Sequence, residues 1–227
     1  MKSNINKELK RIDDGILVEN GADIEAVDSF GMTPLMHASE EFNIEAVEVL
    51  LNRGANPHKS DNDGTTPLMF ASRAPDDFYE NFYIDGSYQK IFKLLFEKGV
   101  DINAKDNNGD TALHYACRYL SRKREIIEIL INNGADVNIV NNDGVSALMY
   151  VCDGMFCFYR TEMVQLLIEN GADVNIVSKN GETALTLLKE LEDAHYDERE
   201  IGYEHISSED EQIIKETVKL IEDHACF

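Results

Sequence analysis

Positive charge is scarce in this sequence: 21 Lys and Arg stand against 43 Asp and Glu, a formal net charge of −22 over 227 residues. Such a surface repels phosphate backbones and anionic lipid headgroups, so nucleic acid and membranes are not expected ligands, and a partner with a basic patch is favoured. Long apolar runs are missing as well. No window approaches the length that crosses a bilayer, and the opening stretch MKSNINKELKR has no apolar segment behind it, so the chain reads as a complete cytoplasmic protein. Cysteine is sparse. Cys117, Cys152, Cys157 and Cys226 lack paired metal-ligand spacing, which argues against a zinc knuckle or a disulfide framework and for buried thiols. Catalytic signatures are also wanting: there is no glycine-rich phosphate loop, no H-E-x-x-H and no G-x-S-x-G, and His37, His58, His114, His195, His205 and His224 are scattered. No catalytic residue, metal or cofactor is expected. A hydrophobic content of 43% is nevertheless ample for a core.

What the sequence does hold is self-similarity. A block of the NGAD kind recurs at Asn20-Gly21-Ala22-Asp23, Arg53-Gly54-Ala55-Asn56, Lys98-Gly99-Val100-Asp101, Asn133-Gly134-Ala135-Asp136 and Asn170-Gly171-Ala172-Asp173. A second block begins 10 residues after each of those glycines, at Gly31, Gly64, Gly109, Gly144 and Gly181, and ends in Leu35, Leu68, Leu113, Leu148 and Leu185. A constant spacing implies a rigid connection. The distance from the second block to the next NGAD varies, at 23, 35, 25 and 27 residues, so length changes are confined to one loop per unit. That loop separates two helical stretches, the second showing Ile44, Val47, Leu50 and Leu51 at helical periodicity.

Local chemistry fixes the helix ends. Thr33, Thr66, Thr111, Ser146 and Thr183 stand where a helix N-cap is needed, and Pro34 and Pro67 follow at the first helical position, where a missing N–H costs nothing. Gly54, Gly99, Gly134 and Gly171 follow the second apolar run and predict a left-handed stop. Tracts such as Asn141-Asn142-Asp143-Gly144 predict a tight, hairpin-like finger leading into the next unit.

These residues resemble the ankyrin repeat family, whose pattern D-x-x-G-x-T-P-L-H-x-A-A, then V-x-x-L-L, then G-A-D-x-N is matched over nearly the whole chain. The resemblance implies an all-α solenoid of stacked helix-turn-helix units with hairpin-like fingers. Residues 1–27 are expected to form an N-terminal half-repeat cap. Repeats follow at 28–60, 61–105 (with an insertion between its helices), 106–140 and 141–177, and residues 178–227 form a C-terminal repeat and cap with an acidic insertion. Ile213, Ile214, Thr217, Leu220 and Ile221 should supply its last helix. Departures are also visible. Met36, Met69, Met149 and Thr186 replace the family histidine that survives as His114, and Phe42 replaces the glycine between two helices. Because one unit cannot bury enough surface by itself, stability should reside between neighbours, with Cys117 and Cys152 packed there.

In this family the partner usually meets the finger tips and the exposed side of the first helices. That implies, as partner-binding positions of a concave face, Phe30, Met32, Glu40 and Glu41, then Asp63 and Arg73, then Asp110, Arg118 and Tyr119, and finally Asp143, Val145 and Asp153. Phe30, Met32 and Tyr119 are the expected anchors. For Asn62, Asp63, Asn107, Asn108, Asn142 and Asp143 the competing expectation is that they simply suit turns. A second candidate surface is the rim of variable loops, with Phe78, Tyr79, Phe82, Tyr83, Phe156, Phe158 and Tyr159 as aromatic knobs and Tyr88 at the edge of the same run.

The reading is a non-catalytic, monomeric protein-interaction scaffold for a basic partner, immunity- or inhibitor-like in its small size and acidity. Two others compete with it: an assembly subunit that self-associates through its end faces, and an acidic mimic of nucleic acid.

Overall fold

The computed structural model describes residues 23–73, 87–118, 124–153, 160–194 and 208–225. Ten helices lie among them: α1 Pro34–Glu40, α2 Ile44–Asn52, α3 Pro67–Ser72, α4 Ser87–Glu97, α5 Ala112–Arg118, α6 Arg124–Asn132, α7 Ala147–Asp153, α8 Arg160–Glu169, α9 Ala184–Ala194 and α10 Ser208–His224. No strand occurs among the described residues; a single antiparallel bridge joins Val140 and Ser146 across a finger.

Each first helix starts at the expected cap, and the residue three positions on decides how well the cap closes. Thr33 Oγ1 accepts the Met36 N–H, while the Met36 thioether accepts the Thr33 N–H at 3.3 Å. Thr66 with Met69 and Ser146 with Met149 repeat this exchange. His114 performs it with a ring nitrogen, Nδ1 accepting from the Thr111 N–H at 3.1 Å, and Thr186 performs it with a hydroxyl at 2.7 Å from the Thr183 N–H. A thioether is a weak acceptor. Methionine therefore keeps the reciprocal cap geometry with a poorer bond, and each of the three is buried at 1% exposure or less, where its apolar stem compensates.

The contacts fall into two compact units, residues 1–107 and 108–227. In the first, α1 packs on α2 and α3, α2 on α4, and α3 on α4. Val47, Leu50, Phe92 and Leu95 are wholly buried, as the period of their helices dictates. Between α1 and α2, Phe42 adopts a left-handed φ of 53°. That conformation costs a side-chain-bearing residue about 1–2 kcal/mol, and burial of the ring at 4% exposure offsets it. In the second unit, α5 packs on α6 and α7, α7 on α8 and α9, α8 on α6 and α10, and α9 on α10. Cys117 and Cys152 are buried thiols without a disulfide in this core. Ile214, Thr217, Val218 and Ile221 bury one face of α10, and the Thr161 and Thr217 hydroxyls bond at 2.6 Å. The opposite face is charged.

Candidate functional site

Three of the fingers are each built on one carboxylate or amide. Asp28 Oδ1 accepts the N–H groups of Phe30 and Met32, Asp61 Oδ1 those of Asp63 and Thr65, and Asn141 Oδ1 those of Asp143 and Val145. A side chain that bonds its own backbone two and four residues on folds the turn without outside help. The next residue reaches the preceding finger. In the first unit the Asn62 N–H donates to the Phe30 carbonyl and the Asn107 N–H to the Asp63 carbonyl, both at 2.9 Å. In the second unit the Asn142 N–H donates to the Asn108 carbonyl and the Lys179 N–H to the Asp143 carbonyl, both at 2.8 Å.

The amide side chains add to this ladder, since Asn62 Nδ2 donates to the Ser29 carbonyl and Asn107 Nδ2 to the Asn62 carbonyl. The finger asparagines are thus more than turn formers, which corrects the expectation. Their recurrence one place after the folding Asp or Asn was the signal that could have shown it. Glycine is required where the fingers touch. Gly31 has φ 83°, and a Cβ there would lie 2.6 Å from Asn62 Oδ1 and 2.9 Å from its nitrogen.

Several expected contact residues do face solvent. Phe30 is 68% exposed at the first finger tip, and Glu41, Asp63, Asp143, Asp153 and Arg118 are exposed; Glu40 is half-buried. Arg73 is half-buried, with its guanidinium 5.7 Å from the centre of the Phe70 ring.

Two residues do not fit the expectation. Met32 is 8% exposed and sits in an apolar cluster with Met36 and Phe70, so it is a core residue and no partner anchor. Asp110 is 2% exposed; its Oδ1 accepts from Asn141 Nδ2 at 2.9 Å and from the Tyr150 hydroxyl at 3.2 Å, so it too is withdrawn from the binding face. Val145 is half-buried and its carbonyl accepts from His114 Nε2 at 3.2 Å, which spends its main chain on the neighbouring repeat. Tyr119 and the whole rim set, Phe78, Tyr79, Phe82, Tyr83, Phe156, Phe158 and Tyr159, lie outside the described residues. Tyr88, at the edge of that aromatic run, is described and is a core residue of α4 at 4% exposure.

In the second unit, one basic side chain is fixed in place. The Arg118 guanidinium lies 4.6 Å from the centre of the Tyr150 ring, donates to the Tyr150 hydroxyl at 2.6 Å, and comes within 3.5 Å of Asp110 Oδ2. Burial, and next the charge of Asp110, push the Tyr150 phenol from 10.0 up to about 12, with Arg118 pulling the other way. The group ties two neighbouring repeats together through Asp110, Arg118 and Tyr150. Among the described residues no three His, Cys, Asp or Glu converge as a metal site, and no helix is long and apolar enough to cross a membrane.

A profile of ankyrin repeats, in three copies, matches residues 15–82 and 83–178, well over half of the chain. The chain belongs to the ankyrin repeat family. Ankyrin repeats generally serve as protein–protein interaction domains and generally act as scaffolds without catalysis. A protein of fowlpox virus (strain NVSL) named as an ankyrin repeat protein, FPV023, is 60% identical over 30 residues. That stretch covers 13% of this chain and 7% of the viral protein, so the likeness amounts to one repeat.

Proposed function

We propose that this ankyrin repeat chain is a binding scaffold for a basic protein, held by the exposed acids of the finger tips and first-helix ends. One observation carries the reading. In the first unit the ring of Phe30 is 68% exposed and Glu41 and Asp63 are exposed, and in the second Asp143 and Asp153 are exposed, on a chain of net charge −22. An exposed aromatic residue together with exposed acids favours a partner that offers an apolar residue flanked by Lys or Arg, with charge setting encounter rate and selectivity.

Affinity capture from the native cell tests this, using the wild-type chain, a Phe30→Ala/Glu41→Lys/Asp63→Lys variant and an Asp143→Lys/Asp153→Lys variant at low and high salt. The expected captured protein is basic, is lost from at least one variant of unchanged melting temperature, and is lost from the wild type as salt rises. Capture of an acidic or neutral protein, or capture indifferent to both variants, refutes the proposal.

A further inference from the structure

Every internal finger is bonded on both edges, yet among the described residues the first and last fingers each have one edge with no neighbouring finger bonded to it. At the last, Gly181 has φ 84°, as its counterparts do, but a Cβ built there meets nothing within 4 Å, whereas one on Gly31 or Gly144 meets the next finger at 2.6 or 3.2 Å. The Asn180 carbonyl holds the position at which Phe30, Asp63, Asn108 and Asp143 accept an N–H, and it accepts none among the described residues. At the first finger, Ser29 holds the position at which Asn62, Asn107, Asn142 and Lys179 donate, and its N–H donates to nothing among the described residues. A second observation, independent of hydrogen bonding, marks the same two places. The exposed large hydrophobic residues among the described ones are Val27 at 51%, Phe30 at 68% and Val177 at 58%, all on these two fingers. Val27 and Val177 occupy the same repeat position, one residue before Asp28 and Ser178.

We propose that the open edge of the last finger takes the first finger of a second copy of this chain. The Ser29 N–H of one copy donates to the Asn180 carbonyl of the other, in the register the internal fingers already use, and Val27 comes beside Val177. This goes beyond the binding of a basic partner and does not depend on it. A donor edge meeting an acceptor edge is a heterologous contact, so it propagates head to tail. The contact is confined to fingers, because the outer face of α10 presents Gln212, Lys215, Glu216, Lys219, Glu222 and Asp223 to solvent. Association is accordingly weak, and the net charge of −22 on each copy opposes it at low salt.

Sedimentation equilibrium of the full chain at about 0.05 M and about 0.5 M salt tests this, since screening must strengthen a contact that net charge opposes. The weight-average mass is expected to rise with protein concentration, and more steeply at high salt. Ser29→Pro removes the donor at the second position of a tight turn, where proline suits the backbone; Val177→Glu places a charge on the acceptor edge. Each should weaken association at least about tenfold. Mixed in equal amounts, the two variants retain one complementary pair of edges and should form dimers and nothing larger. If Ser29→Pro shifts the melting curve, Val27→Glu reads the same edge. A wild-type chain monomeric at every concentration in high salt, variants that associate like the wild type, or a mixture that grows past the dimer each overturns the proposal.

Discussion

In the first unit, Met32, Met36 and Phe70 meet in a dry cluster between two repeats. In the second unit the same three repeat positions hold Asp110, His114 and Tyr150, where the Tyr150 hydroxyl donates to Asp110 and the His114 and Tyr150 rings meet edge to face at 5.8 Å. Fold and register are unchanged while the chemistry of the seam is exchanged completely. The arginine at the end of the first helix follows suit, Arg73 lying over Phe70 of its own repeat and Arg118 over Tyr150 of the next. One further residue makes the exchange possible. Asn141 stands where the three preceding fingers have Asp28, Asp61 and Asp106; a carboxylate there would face Asp110, whereas the amide folds its finger through Oδ1 and gives Nδ2 to Asp110. The polar seam is thus a matched set, and no member of it is readily exchanged alone.

The largest effect expected from breaking this correspondence is Met32→Asp. It sets a carboxylate against Phe70 and the finger carboxylate of Asp61, and should cost about 3–5 kcal/mol, the range for an uncompensated buried charge. Adding Met36→His, Asp61→Asn and Phe70→Tyr imports the other seam and should restore most of the loss. Urea unfolding midpoints of the single and quadruple variants check both, and a quadruple variant no better than the single would show that the seams are not interchangeable.

Asp110→Ala comes next, at about 2–3 kcal/mol, because it leaves the Asn141 amide and the Tyr150 hydroxyl short of an acceptor. The reverse transplant, Asp110→Met with His114→Met, Asn141→Asp and Tyr150→Phe, should lie within about 1 kcal/mol of the wild type, since a well-packed apolar set can replace a buried polar one. The same denaturation series reads it.

Why the fold was legible and the seam was not follows from where each signal is written. Caps, stops and helix periods are local: Thr33, Pro34 and Gly54 each state their role within a few residues, and the register repeats it. Burial at Met32 and Asp110 is set by a residue in the next repeat, Phe70 or Tyr150, so a register carried over from family positions put both on the binding face. The joint change of Met32 to Asp110, Phe70 to Tyr150 and Asp61 to Asn141 is present in the sequence, but only as a comparison between repeats. Exposure at Phe30, Glu41, Asp63, Asp143 and Asp153 was legible because the finger and helix-end positions they hold are ones the repeat pattern leaves outside the packed helix faces. The aromatic rim, which no repeat position governs, had no such guide.

A smaller effect isolates the hydroxyl at the centre of the polar seam. Tyr150→Phe keeps the ring under Arg118 and removes one donor to Asp110, so a loss of about 1 kcal/mol is expected, whereas Phe70→Tyr made with its dry neighbours unchanged adds a hydroxyl that gains no such bond and brings no stabilisation. Comparing the two single variants by urea unfolding separates ring packing from hydrogen bonding.

The smallest expected effect is a dependence on alkaline pH that only the polar seam should show. The Tyr150 phenol is raised from 10.0 to about 12 in the folded chain, because burial and then the charge of Asp110 disfavour the phenolate. Above the unfolded value of 10.0 the unfolded chain releases this proton first, so it binds fewer protons than the folded chain and stability falls as pH rises. The contribution is complete below pH 10 and is lost progressively through about pH 12. Solvent reaches part of the ring, so the loss is small compared with the substitutions above. Chemical denaturation of wild type and Tyr150→Phe across that window should show the two midpoints converging as pH rises, because the variant has no phenol to lose. Parallel decline would mean that the folded and unfolded chains release the Tyr150 proton alike, and that the Asp110 contact holds no preference for the protonated ring.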